Sequence, residues 1–277
     1  MADVKLYLAN RDEKRKRNRR RLRIVLLIAL VIGFLFALWW VLFRSPIFKV
    51  SEILITGNRR TKTPDVIALL ENNLKQSGGL PAWFGTQYVW VWPQGAWTNN
   101  LEDLPRIKTI VIKKNYGTRK IEVAVEERGP YGIWCLRKKT PAECFWFEDD
   151  GGTIFEPAPE VEGSLIKIID DYATDEVKIG ERILPEPLMP GLLTILSVLT
   201  EAPIQVKEVR YEDPSLQEMR VMTYDGPQIY FSLRFSASNA LPIIKSLKEK
   251  DRLGELKPRF RELQYIDFRI QGRAYYK

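Results

Sequence analysis

The sequence predicts an α+β protein with one membrane-spanning helix, and three observations lead to this prediction. An uncharged apolar run of 20 residues, Ile24–Phe43, lies near the N-terminus. Strand and helix patterns alternate over about the next eighty residues, and short strand patterns then dominate the rest of the chain. An apolar fraction of 45% in 277 residues is large enough for about two domains with packed cores.

The charge distribution identifies the apolar run as a membrane anchor. Residues 1–23 contain ten Lys or Arg and three Asp or Glu, so they carry +7 of the chain's net charge of +8. A helix over 24–43 would be about 30 Å long, the thickness of the hydrocarbon core of a bilayer. Because cations before a span keep the N-terminus in the cytoplasm, we predict a basic cytoplasmic tail at 1–23, a single-pass helix at 24–43 and an extracytoplasmic remainder.

Two alternatives to this interpretation are weaker. A cleaved signal peptide would have a shorter apolar run and a small-residue cleavage site, which Arg44-Ser45-Pro46 does not provide. The basic tail could bind nucleic acid, but a cationic segment beside a span is more typical of contact with anionic lipid. We therefore expect membrane lipid, and no nucleic acid, as the partner of the tail.

The first segments outside the span predict a small domain of strands and helices over 47–128. Its predicted elements are a strand (47–56), a helix from Thr63, a short second helix (94–103) and two further strands (107–114 and 119–127). Thr63 can cap the first helix, Pro64 suits its first position, and Gly78-Gly79 ends it. The last strand alternates apolar with charged residues, as one arm of a half-buried hairpin does.

From Gly129 onward the strand patterns become short and closely spaced. The predicted strands are 131–137, 144–148, 153–155, 165–169, 205–211, 217–224, 228–233 and 263–270, and the predicted helices are 187–200 and 238–252. This pattern indicates an antiparallel β-rich domain with two helices over 129–271, followed by a short tail at 272–277.

Composition excludes most catalytic and metal sites. The chain has no histidine, which removes Ser–His and Cys–His catalysis and every histidine-bearing metal site. Phosphate-binding glycine loops and nucleophile elbows are also absent from the sequence. The carboxylate pairs Glu126-Glu127, Asp149-Asp150 and Asp170-Asp171 remain, but neighbouring strand residues point to opposite faces, and such pairs are common in turns and at strand ends. We predict no enzyme activity, no catalytic residues, no metal and no cofactor.

Two cysteines lie on the arms of one predicted hairpin. If its tip is a symmetric turn, Cys135 and Cys144 lie opposite each other. Outside the cytoplasm such a pair is readily oxidised, so we predict a disulfide bond. A structural link is favoured over a redox switch.

Six large aromatic residues are concentrated in a loop-like stretch: Trp83, Phe84, Tyr88, Trp90, Trp92 and Trp97. They are expected either to pack in the core of the first domain or to form an exposed anchor for a partner or the membrane surface. Core packing is favoured, because large aromatic side chains are mostly buried.

Several segments, in this order, resemble the bacterial FtsQ/DivIB family of cell-division proteins. The matching segments are 48–58, 104–107, 121–130 with Trp134, 150–155 and 265–269. The resemblance implies a POTRA domain (β-α-α-β-β) over 47–128 and an FtsQ-type β domain over 129–271. It also implies a location at the division site of the cytoplasmic membrane.

The resemblance implies a non-enzymatic divisome scaffold that recruits FtsB- and FtsL-like partners for septum formation. A terminal strand is expected at a sheet edge, where the FtsB-like partner would add a strand. The expected partner-binding residues are Tyr265, Asp267, Arg269, Tyr275 and Tyr276. The POTRA domain is implied to contact other membrane division proteins.

Three alternatives stay open. The last strand could be covered, with its Asp and Arg side chains forming a local ion pair of little consequence. The chain could be a membrane-anchored extracytoplasmic enzyme or receptor that acts on the cell wall, for which a deep pocket with convergent acids would be evidence. It could also be an outer-membrane assembly factor, but the chain lacks a barrel-length run of alternating strands.

Overall fold

The computed structural model describes residues 2–43, 45–97, 101–148, 151–161, 163, 166–255 and 258–277. The chain divides into two compact units. The first comprises Met1–Thr56, Leu70–Trp97 and Val111–Ala124, and the second comprises Gly57–Leu69, Thr98–Ile110 and Val125–Lys277. The predicted domain boundary after residue 128 stays a prediction.

One long helix, α1 (Ala2–Phe43), contains both the basic tail and the apolar run. Its segment Arg21–Val41 is long and apolar enough to cross a membrane, and none of it is buried in the protein. The prediction of a candidate spanning helix is therefore confirmed. The side chains of residues 2–20 lie outside the description, so the lipid contact of the tail stays a prediction.

A four-stranded sheet follows α1. Its elements are β1 (Glu52–Thr56), α2 (Thr63–Gln76), α3 (Leu80–Phe84), β2 (Gly95–Trp97), β3 (Ile107–Asn115) and β4 (Lys120–Glu127), with the strand order β1-β4-β3-β2. Strand β4 buries Ile121, Val123 and Val125 and exposes the residues between them, as its alternation predicts. Helix α2 buries one apolar stripe, and β1 runs parallel to β4.

The predicted helix over 94–103 is wrong. Gly95–Trp97 is strand β2, Leu101–Asp103 is a short 3-10 turn, and residues 98–100 lie outside the description. Gly95 has a φ of +107°, which an α-helix does not accommodate. The short second helix is α3, which lies earlier in the chain.

A nine-stranded sheet forms most of the second unit. Its strands are β5 (Gly132–Leu136), β6 (Glu143–Phe147), β7 (Ile154–Ala158), β8 (Ile168–Asp171), β9 (Val206–Tyr211), β10 (Glu218–Thr223), β11 (Gln228–Ser232), β12 (Tyr265–Phe268) and β13 (Tyr275–Tyr276). The order across the sheet is β13-β12-β11-β10-β9-β8-β5-β6-β7. The predicted α+β class is confirmed.

The sheet is mixed, so the prediction of an antiparallel sheet is wrong. Strand β5 pairs with β8, β8 with β9, and β11 with β12 in parallel orientation. Parallel neighbours need a long crossover connection. Helices α4 (Met189–Glu201) and α5 (Ala240–Arg252) lie on the crossovers from β8 to β9 and from β11 to β12, which explains their positions in the sequence.

The main core of this unit joins both helices to one face of the sheet. Leu192 and Ile195 of α4, Ile244 of α5 and Phe231 of β11 are fully buried in one cluster. Gly191 permits this packing, because a Cβ atom there would lie 2.1 Å from the carbonyl oxygen of Leu233. A side chain at position 191 would therefore push α4 away from the sheet.

The prediction that the last strand lies at the sheet edge is wrong. Strand β12 lies between β11 and β13, because the tail turns back and pairs with it. The reversal occurs at a tight turn in which the Arg273 amide donates to the Ile270 carbonyl (3.1 Å) and Gly272 has a φ of +72°. Ile270 lies in the predicted strand 263–270, but it is 52% exposed, because β12 ends two residues earlier.

Candidate partner-binding edge

The tail covers one flank of β12. Ile266 pairs with Tyr276 and Asp267 with Tyr275 in an antiparallel ladder. The carbonyl of Lys277 accepts from the Gln264 amide (2.6 Å), and the Lys277 amide donates to the carbonyl of residue 265 (3.3 Å). This edge strand of the sheet is thus only two residues long.

The side chains of β12 and its flanks separate into a buried and a polar face. Ile266 and Phe268 are buried, whereas Tyr265 and Asp267 lie partly exposed on the other face. The Arg269 side chain, just past the strand, folds back over this polar face. Strand alternation predicts these faces, and the structure follows it up to Phe268.

Arg269 is the centre of a hydrogen-bonded network. Its Nε and Nη2 donate to the two carboxylate oxygens of Asp267 (2.9 and 2.6 Å), and its Nη1 donates to Glu218 of β10 (3.1 Å). Its guanidinium also lies 4.9 Å from the ring centre of Tyr230 on β11. The network therefore connects three neighbouring strands across the polar face.

Asp267 and Arg269 each favour the charged form of the other. Burial opposes ionisation of Asp267, but the hydrogen bonds from Arg269 outweigh it and hold the pKa of this carboxyl below its usual value. Its hydrogen bond to Asp267 raises the pKa of Arg269, although burial opposes the rise. Both groups are charged at neutral pH, and their hydrogen bonds are satisfied within the chain.

The five residues predicted to bind a partner all lie on β12, just past it or on β13. Tyr275 and Tyr276 are about half exposed and belong to the covering strand. Sequence reasoning missed Glu218 and Tyr230, which the network recruits from neighbouring strands. The signal for Glu218 was the alternation of charged and apolar residues along β10, but strand order could not be read from it.

The opposite edge of the nine-stranded sheet is strand β7, which contains a proline. Strand β7 pairs with β6 on its inner side, where Pro157 faces Phe145 in the register, and at its start Ile154 exchanges backbone hydrogen bonds with residues 180 and 181. Proline has no backbone N–H, so it interrupts any ladder that an added strand would form. This edge is therefore poorly suited to strand addition.

Cys135 and Cys144 face each other across β5 and β6. The register pairs them directly, and a disulfide bond joins them with 4.0 Å between their Cα atoms. Both are buried, together with Ile133, in a small cluster. The bond thus links the arms of one hairpin within the sheet.

A cavity of about 890 Å³ lies beside β8, β9 and α4. Its lining includes two carboxylates, and each contacts an arginine of the chain. Burial raises the pKa of Asp170, although Arg137 opposes the rise. Burial also opposes ionisation of Glu208, but hydrogen bonds from Arg210 and Tyr172 lower its pKa.

Two of the three carboxylate pairs, Glu126-Glu127 and Asp170-Asp171, lie among the described residues. Among the described residues, no group of three or more metal-ligating side chains could hold an ion. Asp171 is fully buried and accepts from the indole N–H of Trp134 (2.9 Å). Its carboxylate also accepts from the amides of residues 173 and 174 in the turn that follows β8. Asp149 and Asp150 lie outside the described residues.

Comparison with known proteins gives no assignment. No protein-family model matches the chain, and no curated protein matches it either. The function is therefore inferred from the geometry of the chain itself.

Proposed function

We propose that this chain is a non-enzymatic bitopic scaffold of the bacterial division machinery, of the FtsQ/DivIB type. Helix α1 would anchor it in the cytoplasmic membrane at the division site, with the basic end in the cytoplasm. The candidate span at Arg21–Val41 and the cations before it support this topology. The partners would be FtsB- and FtsL-like division proteins.

The observation that carries the proposal is the difference between the two edges of the nine-stranded sheet. One edge contains Pro157, which disfavours an added strand. The other ends in the two-residue strand β13, next to the longer β12. Short edge strands protect a sheet against pairing. Because β13 pairs with β12 through only two residues, a longer partner strand would form more backbone hydrogen bonds in its place.

The partner strand would replace the tail on β12. A strand added outside β13 could pair with only two residues, whereas a strand that displaces residues 275–277 gains the whole flank of residues 264–268. Backbone hydrogen bonds would then supply affinity, and side chains on the polar face would supply specificity. Tyr265 is the aromatic anchor proposed there, and Asp267 with Arg269 forms a rigid charged surface beside it.

The first domain is proposed to be of the POTRA type and to contact other membrane division proteins. The order β1-α2-α3-β2-β3-β4 supports this, with one extra short strand before the last two. Strand β1 is an edge of its sheet, and Leu54 on it is 46% exposed. This edge offers a second surface for another chain.

Co-purification of the full chain with its FtsB- and FtsL-like partners tests the function. We expect the double variant Tyr265→Ala, Arg269→Ala to bind the FtsB-like partner at least about tenfold more weakly, because hot-spot truncations cost about 2 kcal/mol or more. Tyr224→Ala, an exposed tyrosine in the turn after β10, is the matched control. Unchanged affinity of the double variant in titration calorimetry would contradict the proposed site.

The alternative is an enzyme or receptor that acts on the cell wall, and the 890 Å³ cavity favours it. The opposite pKa shifts of Asp170 and Glu208 resemble an acid–base pair. Both side chains are engaged by Arg137 and Arg210, however, which supports a structural role. Specific binding of cell-wall fragments that Asp170→Asn abolishes would favour this alternative.

A further inference from the structure

The aromatic stretch of the first unit divides into a buried and an exposed part. Tyr88, Trp92 and Trp97 are buried, so core packing accounts for them. Trp83 is 85% exposed, although indole is a large and mainly apolar group. Core packing therefore does not explain Trp83, which belongs to the short helix α3.

Direct contacts connect this stretch to the end of α1. The rings of Phe43 and Phe84 stack with 4.4 Å between their centres, and Trp90 meets both rings edge-on at 5.5 Å. The Tyr88 hydroxyl donates to the carbonyl of Phe43 (2.6 Å). Since Phe43 lies two residues after the candidate span, these contacts hold the stretch at the level where the span ends.

The composition of this stretch suits the end of the candidate span, where the hydrocarbon core meets the headgroups. No charged residue occurs from Gln76 to Leu101. The cations beside it come from other segments of the same unit. Lys49 is exposed and bridges to the backbone of Tyr88, and Nη1 of Arg119 donates to the carbonyl of Pro46 (3.1 Å). An uncharged aromatic surface bordered by cations is typical of the interfacial layer of a bilayer.

We propose that the segment 83–90 lies in the interfacial layer of the bilayer that α1 spans, with Trp83 inserted among the lipid headgroups as a second anchor. Lys49 bridges to this segment and Arg119 contacts Pro46 just after the end of α1, so both cations could contact lipid phosphates at the same level. The proposal uses only the anchoring part of the proposed function and requires no division partner. This contact would hold the first unit at the membrane surface in addition to its covalent connection to α1.

A thiol placed at position 83 tests the contact in the full chain. Both native cysteines are joined in a disulfide, so Trp83→Cys adds a single reactive thiol. Leu216→Cys, in the turn between β9 and β10, is the matched control, because Leu216 is also an exposed apolar residue at 53%. Both variants are placed in vesicles of phosphatidylethanolamine and phosphatidylglycerol and labelled with an environment-sensitive thiol probe.

We expect nitroxide lipids labelled near the headgroup to remove roughly half of the probe emission at position 83 and almost none at position 216. A second measurement avoids any bias from an apolar probe. A charged maleimide should react with the unlabelled Trp83→Cys variant about tenfold more slowly in vesicles than in detergent. The Leu216→Cys variant should react at similar rates in both.

The outcomes separate this proposal from the proposed function. Equal quenching and equal reaction rates at the two positions overturn the interfacial contact and leave the anchor and the scaffold role untouched. Release of both variants from the vesicles by an alkaline wash overturns the membrane anchor, and the contact with it. Since the vesicles contain no other protein, quenching at position 83 excludes a protein partner as its cause.

Discussion

Removal of the last six residues is expected to tighten the binding of a strand-forming partner to β12. A chain that ends at Gln271 lacks β13, so the flank of β12 that the tail covers becomes free. In the proposed mode of binding, a partner of the full chain must first displace the tail. The apparent affinity is then reduced by the equilibrium constant with which the tail docks.

The size of this effect follows from the contacts of the tail. Three backbone hydrogen bonds to residue 277 contribute about 3 kcal/mol at about 1 kcal/mol each. Tyr275 and Tyr276 are each about half buried, which removes roughly 100 Å² apiece from water and contributes about 5 kcal/mol together. Ordering six residues costs about 6 kcal/mol. The tail is thus held by about 2 kcal/mol, and its removal should increase affinity up to roughly 30-fold.

Titration calorimetry with the proposed FtsB-like partner, in the same detergent for both chains, measures the difference in affinity. The variant Tyr275→Ala, Tyr276→Ala keeps the length of the tail but loses its buried area, so it should bind almost as tightly as the shortened chain. A fall in affinity on truncation would refute the displacement. It would mean that the two tyrosines are themselves anchors for the proposed partner, which is the role that the family resemblance implies for them.

Three further changes test the structure. Gly191→Ala should destabilise the second unit by about 3 kcal/mol in urea unfolding, whereas Gly129→Ala, with open space around it, should change stability by less than about 0.5 kcal/mol. The native chain should have no free thiol under non-reducing denaturation, and replacing Cys135 and Cys144 by Ser should cost about 2.5 kcal/mol. The pKa of Asp267 is lowered in the folded protein from its usual value of 3.8. Its contribution to the free energy of unfolding is therefore present above pH 3.8 and is lost as the pH falls through the folded pKa. The Asp267→Asn variant should accordingly lose less stability than the native chain over this acid range.

The elements that sequence predicted well are those whose signals are local. An uncharged run fixes the candidate span, and alternation along β4 fixes which side chains are buried. The symmetric spacing of Cys135 and Cys144 about a turn predicts the same register that the structure has. In each case the information lies within a few consecutive residues.

Strand order and direction depend on non-local pairing and were therefore missed. The parallel pairs β8–β9 and β11–β12 are connected by crossovers that contain α4 and α5. Hydrophobic periodicity predicts that a helix lies between two strands, but not whether those strands are parallel. The link from Arg269 to Glu218 spans 51 residues and depends on that order. Strand β13 was missed because two tyrosines are too short a pattern, although Gly272 marked the turn before them.

The tail that covers β12 is also expected to affect the protein when no partner is bound. A bare flank of β12 would pair with any strand of suitable length, including the same flank of a second copy. A tail held by about 2 kcal/mol would prevent this at low concentration and would still be displaced by the proposed partner, which pairs with the whole flank. The shortened chain should therefore self-associate in light scattering at concentrations where the full chain is monomeric. A monomeric shortened chain that nevertheless binds its partner more tightly would mean that the tail regulates partner access without protecting the edge.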